Sequence, residues 1–252
     1  MSLILALETA TPVCSVALAR DGEILSLLES TAPNAHSSVL TVLIEELFRE
    51  ALLDFSDLAA ISVSMGPGSY TGLRIGVAAA KGLCYALDKP LIAVPTLEAM
   101  AMGMNYELGM KNEDLNNFQH QSSKAETQKP KPETLLCPMI DARRMEVYCA
   151  VFDENLSEIR STEAEIITEY FFGSLLAEHP VLFAGTGAEK CKELLSNNPN
   201  ARFLEGFQAS ARFMIGGSEK RFAEDRFENL AYFEPYYLKD FIAGKPRVKG
   251  LR

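Results

Sequence analysis

The 252-residue chain is predicted to fold as an α/β protein of two similar subdomains facing each other across a cleft. Three observations predict this. Apolar runs and chain breakers read β-β-β-α-β-loop-α-β, and the same order then appears a second time. Each half carries a glycine loop between a strand and a helix, Gly66-Pro67-Gly68 in the first and Gly185-Thr186-Gly187 in the second. Hydrophobic residues make up 48% and charged residues 23%, enough apolar surface for two cores.

In the first half, Leu3 to Leu7 is an apolar strand, and Val13 to Ala19 follows a Thr-Pro turn. Asp21-Gly22 then turns the chain into a third strand, Glu23 to Leu28. Val39, Leu40, Leu43, Leu47 and Ala51 share one face of a helix from about 37 to 53. Strand 60–65, the glycine loop, helix 72–87 and strand 91–94 complete the unit. The second half offers strand 135–140 ending at Asp141, strand 145–152, a turn at Glu154-Asn155 and a short third strand. A helix near 168–178, strand 181–184, the second glycine loop, a helix near 188–195 and a strand near 202–204 follow. The expected domains are 1–103, completed by about 222–252, and 104–221. Between them the composition changes after residue 104, and 111–133 (KNEDLNNFQHQSSKAETQKPKPE) reads as a flexible polar insertion.

Charge and cysteine usage narrow the function. With 24 basic and 34 acidic residues the net charge is −10, which argues against primary binding to nucleic acid, where phosphate neutralisation dominates affinity. Lys245, Arg247, Lys249 and Arg252 form a basic tail that reads as a solvated end. Cys14, Cys84, Cys137, Cys149 and Cys191 are scattered in apolar runs without a C-x-x-C pair, as expected of reduced core thiols in a cytoplasmic protein. The run Leu3 to Leu7 meets Glu8 too early for a signal peptide, and no apolar stretch is long enough to span a membrane.

Two places could carry chemistry. Glu8-Thr9-Ala10-Thr11-Pro12 ends the first strand where two-lobed nucleotide-binding proteins of the actin, sugar-kinase and chaperone type place an acid, a glycine and a hydroxyl. Ala10 replaces that glycine, so the turn reads either as a plain hairpin turn or as a weakened phosphate site. Gly66, Gly68 and Ser69 lead into the helix, and glycines there let backbone amides lie against a phosphate or against another backbone. Glu8, Thr9, Gly66, Gly68 and Ser69 are thus candidates for a vestigial ATP or ADP site. His36, His120 and His179 are far apart, and no acid, base or nucleophile constellation emerges. Asp141, Arg143 and Arg144 form a charged turn that could face the cleft, a partner or only solvent. Along helix 72–87, Gly72, Gly76, Ala80 and Cys84 recur every four residues, a stripe suited either to internal packing or to close approach of another helix.

Several motifs resemble the TsaB (YeaZ) family, paralogues of the TsaD transferases: LALETATPVCSVAL at 5–18, SMGPGSYTGLRIGVAAAKGL at 64–83, PLIAVPTLEAMA at 90–101, MIDARRMEVYCAVF at 139–152 and EPYYLKD at 234–240. The resemblance covers most of the chain and implies an actin/Hsp70-like (ASKHA) fold. It also implies a non-catalytic scaffold that activates a TsaD-like subunit in synthesis of N6-threonylcarbamoyladenosine at tRNA position 37. The resemblance further implies that a TsaE-like ATPase docks at that junction, that a second copy of the chain is an alternative partner, and that tRNA is met mainly through the complex. In TsaD, N-H-x-E-x-H supplies two metal-binding histidines. Here Thr96 and Met100 stand at those positions, and neither replaces a paired imidazole, so no metal is expected. The resemblance favours the partner reading of the stripe, with Gly72, Leu73, Arg74, Gly76, Val77, Ala80, Lys81 and Cys84 at the interface. A small-molecule kinase of the same fold, a metallopeptidase and a self-associating protein of unrelated role remain as alternatives.

Overall fold

Short buried runs and tight turns build the first sheet. β1 (Leu3–Glu8), β2 (Cys14–Arg20) and β3 (Glu23–Ser30) form an antiparallel meander in the computed structural model, which describes residues 2–118, 133–144 and 146–239. Asp21 and Gly22 both take positive φ (49° and 84°) at the β2–β3 turn, the geometry that matches strand twist in a two-residue hairpin. Helix α1 (His36–Ala51) crosses to β4 (Ala60–Gly66), parallel to β1, and α2 (Tyr70–Leu87) crosses to β5 (Leu91–Pro95), parallel to β4. Parallel neighbours require such crossovers. The resulting order is β3-β2-β1-β4-β5.

The second sheet repeats the plan. β6 (Leu135–Asp141), β7 (Glu146–Phe152) and β8 (Glu158–Ile166) form the meander, while α4 (Gly173–Glu178) precedes β9 (Val181–Ala184) and α5 (Thr186–Leu195) precedes β10 (Ala201–Leu204). Its order, β10-β9-β6-β7-β8, is that of the first sheet strand for strand. Two such mixed sheets make the α/β fold of the actin/Hsp70 type.

Each sheet buries both faces. α1 and α2 cover one face of the first sheet with Leu40, Ile44, Leu47, Phe48, Val77, Ala80 and Cys84. The other face is lined by small residues, Ala6, Ala17 and Ala19, against Ala99, Met214 and Ile215. Small side chains there let helices sit close to the sheet.

The element that joins the halves is one the sequence reading did not resolve. α3 (Thr96–Phe118) follows β5 without an intervening residue. It starts before the composition change at 104 and runs into the expected insertion; residues 119–132 of that insertion lie outside the described residues. Alanine, leucine, methionine and glutamate favour the helix, and Gly103 and Gly109 only weaken that preference. Leu97, Met100, Ala101 and Met104 form one helical stripe against the second sheet, while Ala99 faces the first. One helix is therefore a wall of both cores.

Later segments return to the first sheet. A 3-10 turn at Ala211–Met214 and α6 (Ile215–Ala223) pack on its small-residue face, whereas the sequence reading gave residues up to 221 to the second half. Arg221 on α6 donates to both oxygens of Glu98 on α3, at 2.9 and 2.8 Å. Beyond α6, Glu228 bridges Leu91, Phe233 enters the first core, and the Tyr236 amide donates to the Met65 carbonyl at 2.7 Å. The basic tail falls outside the described residues.

The Arg221–Glu98 pair has 11% and 29% of its side chains exposed, so losing one partner leaves a poorly solvated charge. Arg221→Ala is expected to lower stability to urea by about 2 kcal/mol. Arg226→Ala, which breaks an exposed pair with Glu224, leaves the urea midpoint unchanged.

Candidate functional site

The two motifs at the first-lobe strand ends, Glu8–Pro12 and Gly66–Gly76, meet directly. Because β1 and β4 are parallel neighbours, their C-terminal ends emerge side by side, the position where open α/β sheets bind ligands. Here the space is filled by the chain itself. The Ser69 amide donates to the Ala10 carbonyl at 2.7 Å, and a Cβ on Gly68 would lie 2.5 Å from that same oxygen. A Cβ on Gly72 would strike the Thr9 carbonyl, and one on Gly76 the Thr9 hydroxyl. Thr9 in turn donates its hydroxyl to the Gly72 carbonyl at 2.9 Å. The glycines serve close backbone approach, and the Ser69 amide that a phosphate would need is already engaged. Ser69 itself caps α2 by accepting from the Gly72 amide at 3.3 Å.

Glu8 lies underneath. Its Oε1 accepts from the Ala10 amide at 2.6 Å, and its Oε2 has no partner among the described residues. Burial pushes the carboxyl up to about 7, against the opposing pull of the Ala10 amide and the Ser64 hydroxyl. A carboxyl in this position supports the turn from inside. Gly66, at φ 113°, donates its amide to the Thr96 hydroxyl at 3.1 Å, which ties the loop to the start of α3.

Thr96 and Met100 are both buried, and the Met100 methyl packs beneath Gly185 of the second glycine loop. With the Thr96 hydroxyl engaged by Gly66 and the thioether inside the second-lobe core, these positions do not fit a divalent ion. No group of three or more His, Cys, Asp or Glu suited to a metal occurs among the described residues. His36 Nε2 lies 2.9 Å from the Thr11 carbonyl, and His179 follows α4, far along the chain; His120 lies outside the described residues.

The small-residue stripe faces the opposite way from the one expected of an interface. Gly72, Leu73, Gly76, Val77, Ala80 and Cys84 are all buried within the first lobe, and burial pushes the Cys84 thiol up to about 12. These six positions therefore pack inside the lobe and present no outward surface in the single chain. The clue lay in the sequence: Leu73 and Val77 flank the stripe, so the stripe lies within the apolar arc that a sheet must cover. Of the expected set only Arg74 is exposed. Lys81 is half-buried and donates to the Phe233 and Ala231 carbonyls at 3.1 and 3.4 Å, holding the C-terminal segment down.

What α2 does present is a second small-residue face, comprising Thr71, Arg74, Ala78, Gly82 and Tyr85, with Tyr85 84% exposed. Gly82 has nothing near its Cβ direction. Arg74 donates to the Tyr70 hydroxyl at 3.4 Å, and Tyr70 packs on Tyr237 with centroids 4.8 Å apart. The outward side of the neighbouring helix α1 adds Ser38, Thr41, Val42 and Glu45, with Val42 56% exposed. Between the lobes a cavity of about 240 Å³ is lined by Glu29, Glu107, Phe207, Ser210 and Arg212; Ser15, beside Glu29 on the neighbouring strand, and Ser210 both donate to the Glu29 carboxylate, at 3.0 and 2.5 Å.

These features define a class: a two-lobed α/β protein of actin/Hsp70 type whose first-lobe glycine loop is closed on its own hairpin turn. The family model of TsaD, tRNA N6-adenosine threonylcarbamoyltransferase, matches residues 29–243. TsaB of Escherichia coli K12, a tRNA threonylcarbamoyladenosine biosynthesis protein, is 30% identical over 250 residues, 96% of each chain. TsaB of Bacillus subtilis is 27% identical over 197 residues, 77% of this chain and 75% of that one. A Pseudomonas aeruginosa crystal structure described as similar to peptidase YEAZ superposes with a TM-score of 0.75 at 25% identity, covering 95% of this chain and all of that one. The chain belongs to the TsaB (YeaZ) family.

Two measurements check this reading of the site. Gly76→Ala is expected to lose about 1–3 kcal/mol to overpacking against Thr9, whereas Gly82→Ala on the open face gains roughly 0.5–1 kcal/mol in thermal melts. Glu8 has a raised folded pKa, so its stabilising contribution is complete below the unfolded value of 4.5 and is lost as pH rises through about 7. Between pH 4 and 8 the wild type is therefore expected to lose roughly 3 kcal/mol more than Glu8→Gln in urea titrations.

Proposed function

We propose that this chain is a non-catalytic subunit of a tRNA threonylcarbamoyladenosine synthesis complex, activating a TsaD-like catalytic subunit through the outward faces of α1 and α2. One observation carries the non-catalytic part. The loop that a transferase or kinase would open to a phosphate is occupied by Thr9 and Ala10, and the positions of the TsaD metal ligands are core residues. Family membership over nearly the whole chain supplies the pathway.

The helical faces suit the partner role by their chemistry. Ala78 and Gly82 lie one turn apart, so a foreign helix can approach closely there, with Tyr85 and Val42 as apolar anchors and Arg74 at the edge. The same face serves a second copy of the chain when the catalytic subunit is absent, and a TsaE-like ATPase engages the assembled pair. A net charge of −10 leaves most of the tRNA contact to the partner.

Co-purification with the TsaD-like subunit, coupled to measurement of the modified nucleoside, tests the reading. Ala78→Arg and Tyr85→Asp are expected to abolish capture and modification while leaving the melting temperature of the isolated chain unchanged, because both sites are exposed. Normal capture by both variants sinks the interface, and ATP turnover or tRNA modification by the chain alone sinks the non-catalytic role.

A further inference from the structure

The cavity between the lobes is lined by charges of both signs that the fold leaves unused. It lies where the segment after β10 returns to the first sheet, and its volume is about 240 Å³. Neither glycine loop lines it, so it is separate from the strand ends that carry the two loops. Glu29 comes from β3, Glu107 from α3 and Arg212 from the 3-10 turn, three elements that meet only through the tertiary fold.

Two of these charges are held in place without being neutralised. Oε1 of Glu29 accepts from the Ser15 and Ser210 hydroxyls, whereas its Oε2 accepts nothing among the described residues. The Arg212 guanidinium lies over the Phe213 ring, 4.9 Å from its centroid, and Phe213 stacks in turn on Phe207 with centroids 5.5 Å apart. That platform fixes the arginine and brings it no counter-charge. Neither Arg212 nor the half-buried Glu107 has a side-chain ion pair or hydrogen bond among the described residues. Glu205, also in the lining, differs because Lys192 pairs with it. An arginine and two glutamates around one recess would satisfy each other if the fold alone needed them. Held apart on separate supports, they present preorganised groups to a ligand.

The lining sets the ligand's chemistry. Two carboxylates and one guanidinium call for two cationic groups and one carboxylate, and Val13, Phe207 and Phe213 for an apolar stem between them. The volume lies below the roughly 300–1,000 Å³ of sites for drug-sized ligands, which leaves no room for a nucleotide. A metal ion is disfavoured by the arginine, and no metal-type cluster occurs among the described residues.

We propose that this cavity binds a free basic α-amino acid of lysine type, with its carboxylate on Arg212, its two ammonium groups on Glu29 and Glu107, and its methylene stem beside Phe207 and Phe213. Bound there, it ties β3, α3 and the interlobe turn together. The proposal is independent of the assembly reading, since it concerns the isolated chain.

Calorimetric titration of the full chain with L-lysine tests it, alongside three compounds that each lack one group. Nα-acetyl-L-lysine lacks the α-ammonium, cadaverine the carboxylate and L-norleucine the side-chain ammonium. Lysine is expected to bind, and each of the three to bind about tenfold more weakly. Arg212→Gln is expected to weaken lysine binding about tenfold and to remove its advantage over cadaverine, a change of selectivity that general loss of fold does not produce. Glu29→Gln, which keeps an acceptor for the two serines, and Glu107→Gln are each expected to weaken lysine binding by a similar factor. A wild type silent to lysine, cadaverine or norleucine binding as tightly as lysine, an Arg212→Gln variant that still prefers lysine to cadaverine, or glutamine variants that bind lysine as the wild type does each overturns the proposal. Nα-acetyl-L-lysine binding as tightly as lysine also overturns it, and assigns the cavity to the terminal lysine of a peptide instead.

Discussion

The close approach of two backbones at the top of the first lobe governs what the rest of this structure can do. The Ser69 amide meets the Ala10 carbonyl, while Gly72 and Gly76 bring α2 against Thr9 with no side chain between them. A phosphate-binding loop needs free amides and empty space above its glycines. Here the same glycines admit a peptide, and the hydrogen bonds that would hold an anion hold the β1–β2 turn. Glu8, sealed underneath by that contact, becomes a buried carboxyl whose charge opposes folding near neutral pH.

That contact also fixes the rotation of α2. With Gly72 and Gly76 pressed on Thr9, the residues one turn further, Ala80 and Cys84, must enter the core beside α1, and the opposite arc from Thr71 to Tyr85 must face out. A helix can carry small residues on two sides for two reasons. The inner set permits packing on the lobe's own turn; the outer set leaves a surface that another helix can approach. The inner set is the longer run of small residues at four-residue spacing, which is why the sequence points to it before the outer one.

α3 sets the relation between the lobes. Its stripe of Leu97, Met100, Ala101 and Met104 belongs to the second core while Ala99 belongs to the first, and Arg221 pins its start to α6. Thr96 and Met100, at the places where TsaD carries histidines, are absorbed into this joint: the first holds the Gly66 amide, the second packs beneath Gly185. Structural use of both positions leaves no room for metal chemistry there. In the second lobe the corresponding strand end leads into a turn whose two arginines, Arg143 and Arg144, are exposed.

The sequence by itself determined the repeat, the strand order within each meander and the family, because apolar periods, turn residues and several ordered motifs are local properties that survive without contacts. It also singled out the glycines of the first-lobe loop. It could not say whether the space above Gly68 and Gly72 holds a phosphate or a peptide, since glycine permits both and the deciding atoms, the Thr9 and Ala10 carbonyls, come from about sixty residues away. The side of α2 that faces inward, the length of α3 and the packing of α6 on the first sheet were likewise decided only by tertiary structure. In each case the local preference was degenerate or unfavourable, and contacts between distant segments chose among the states it left open.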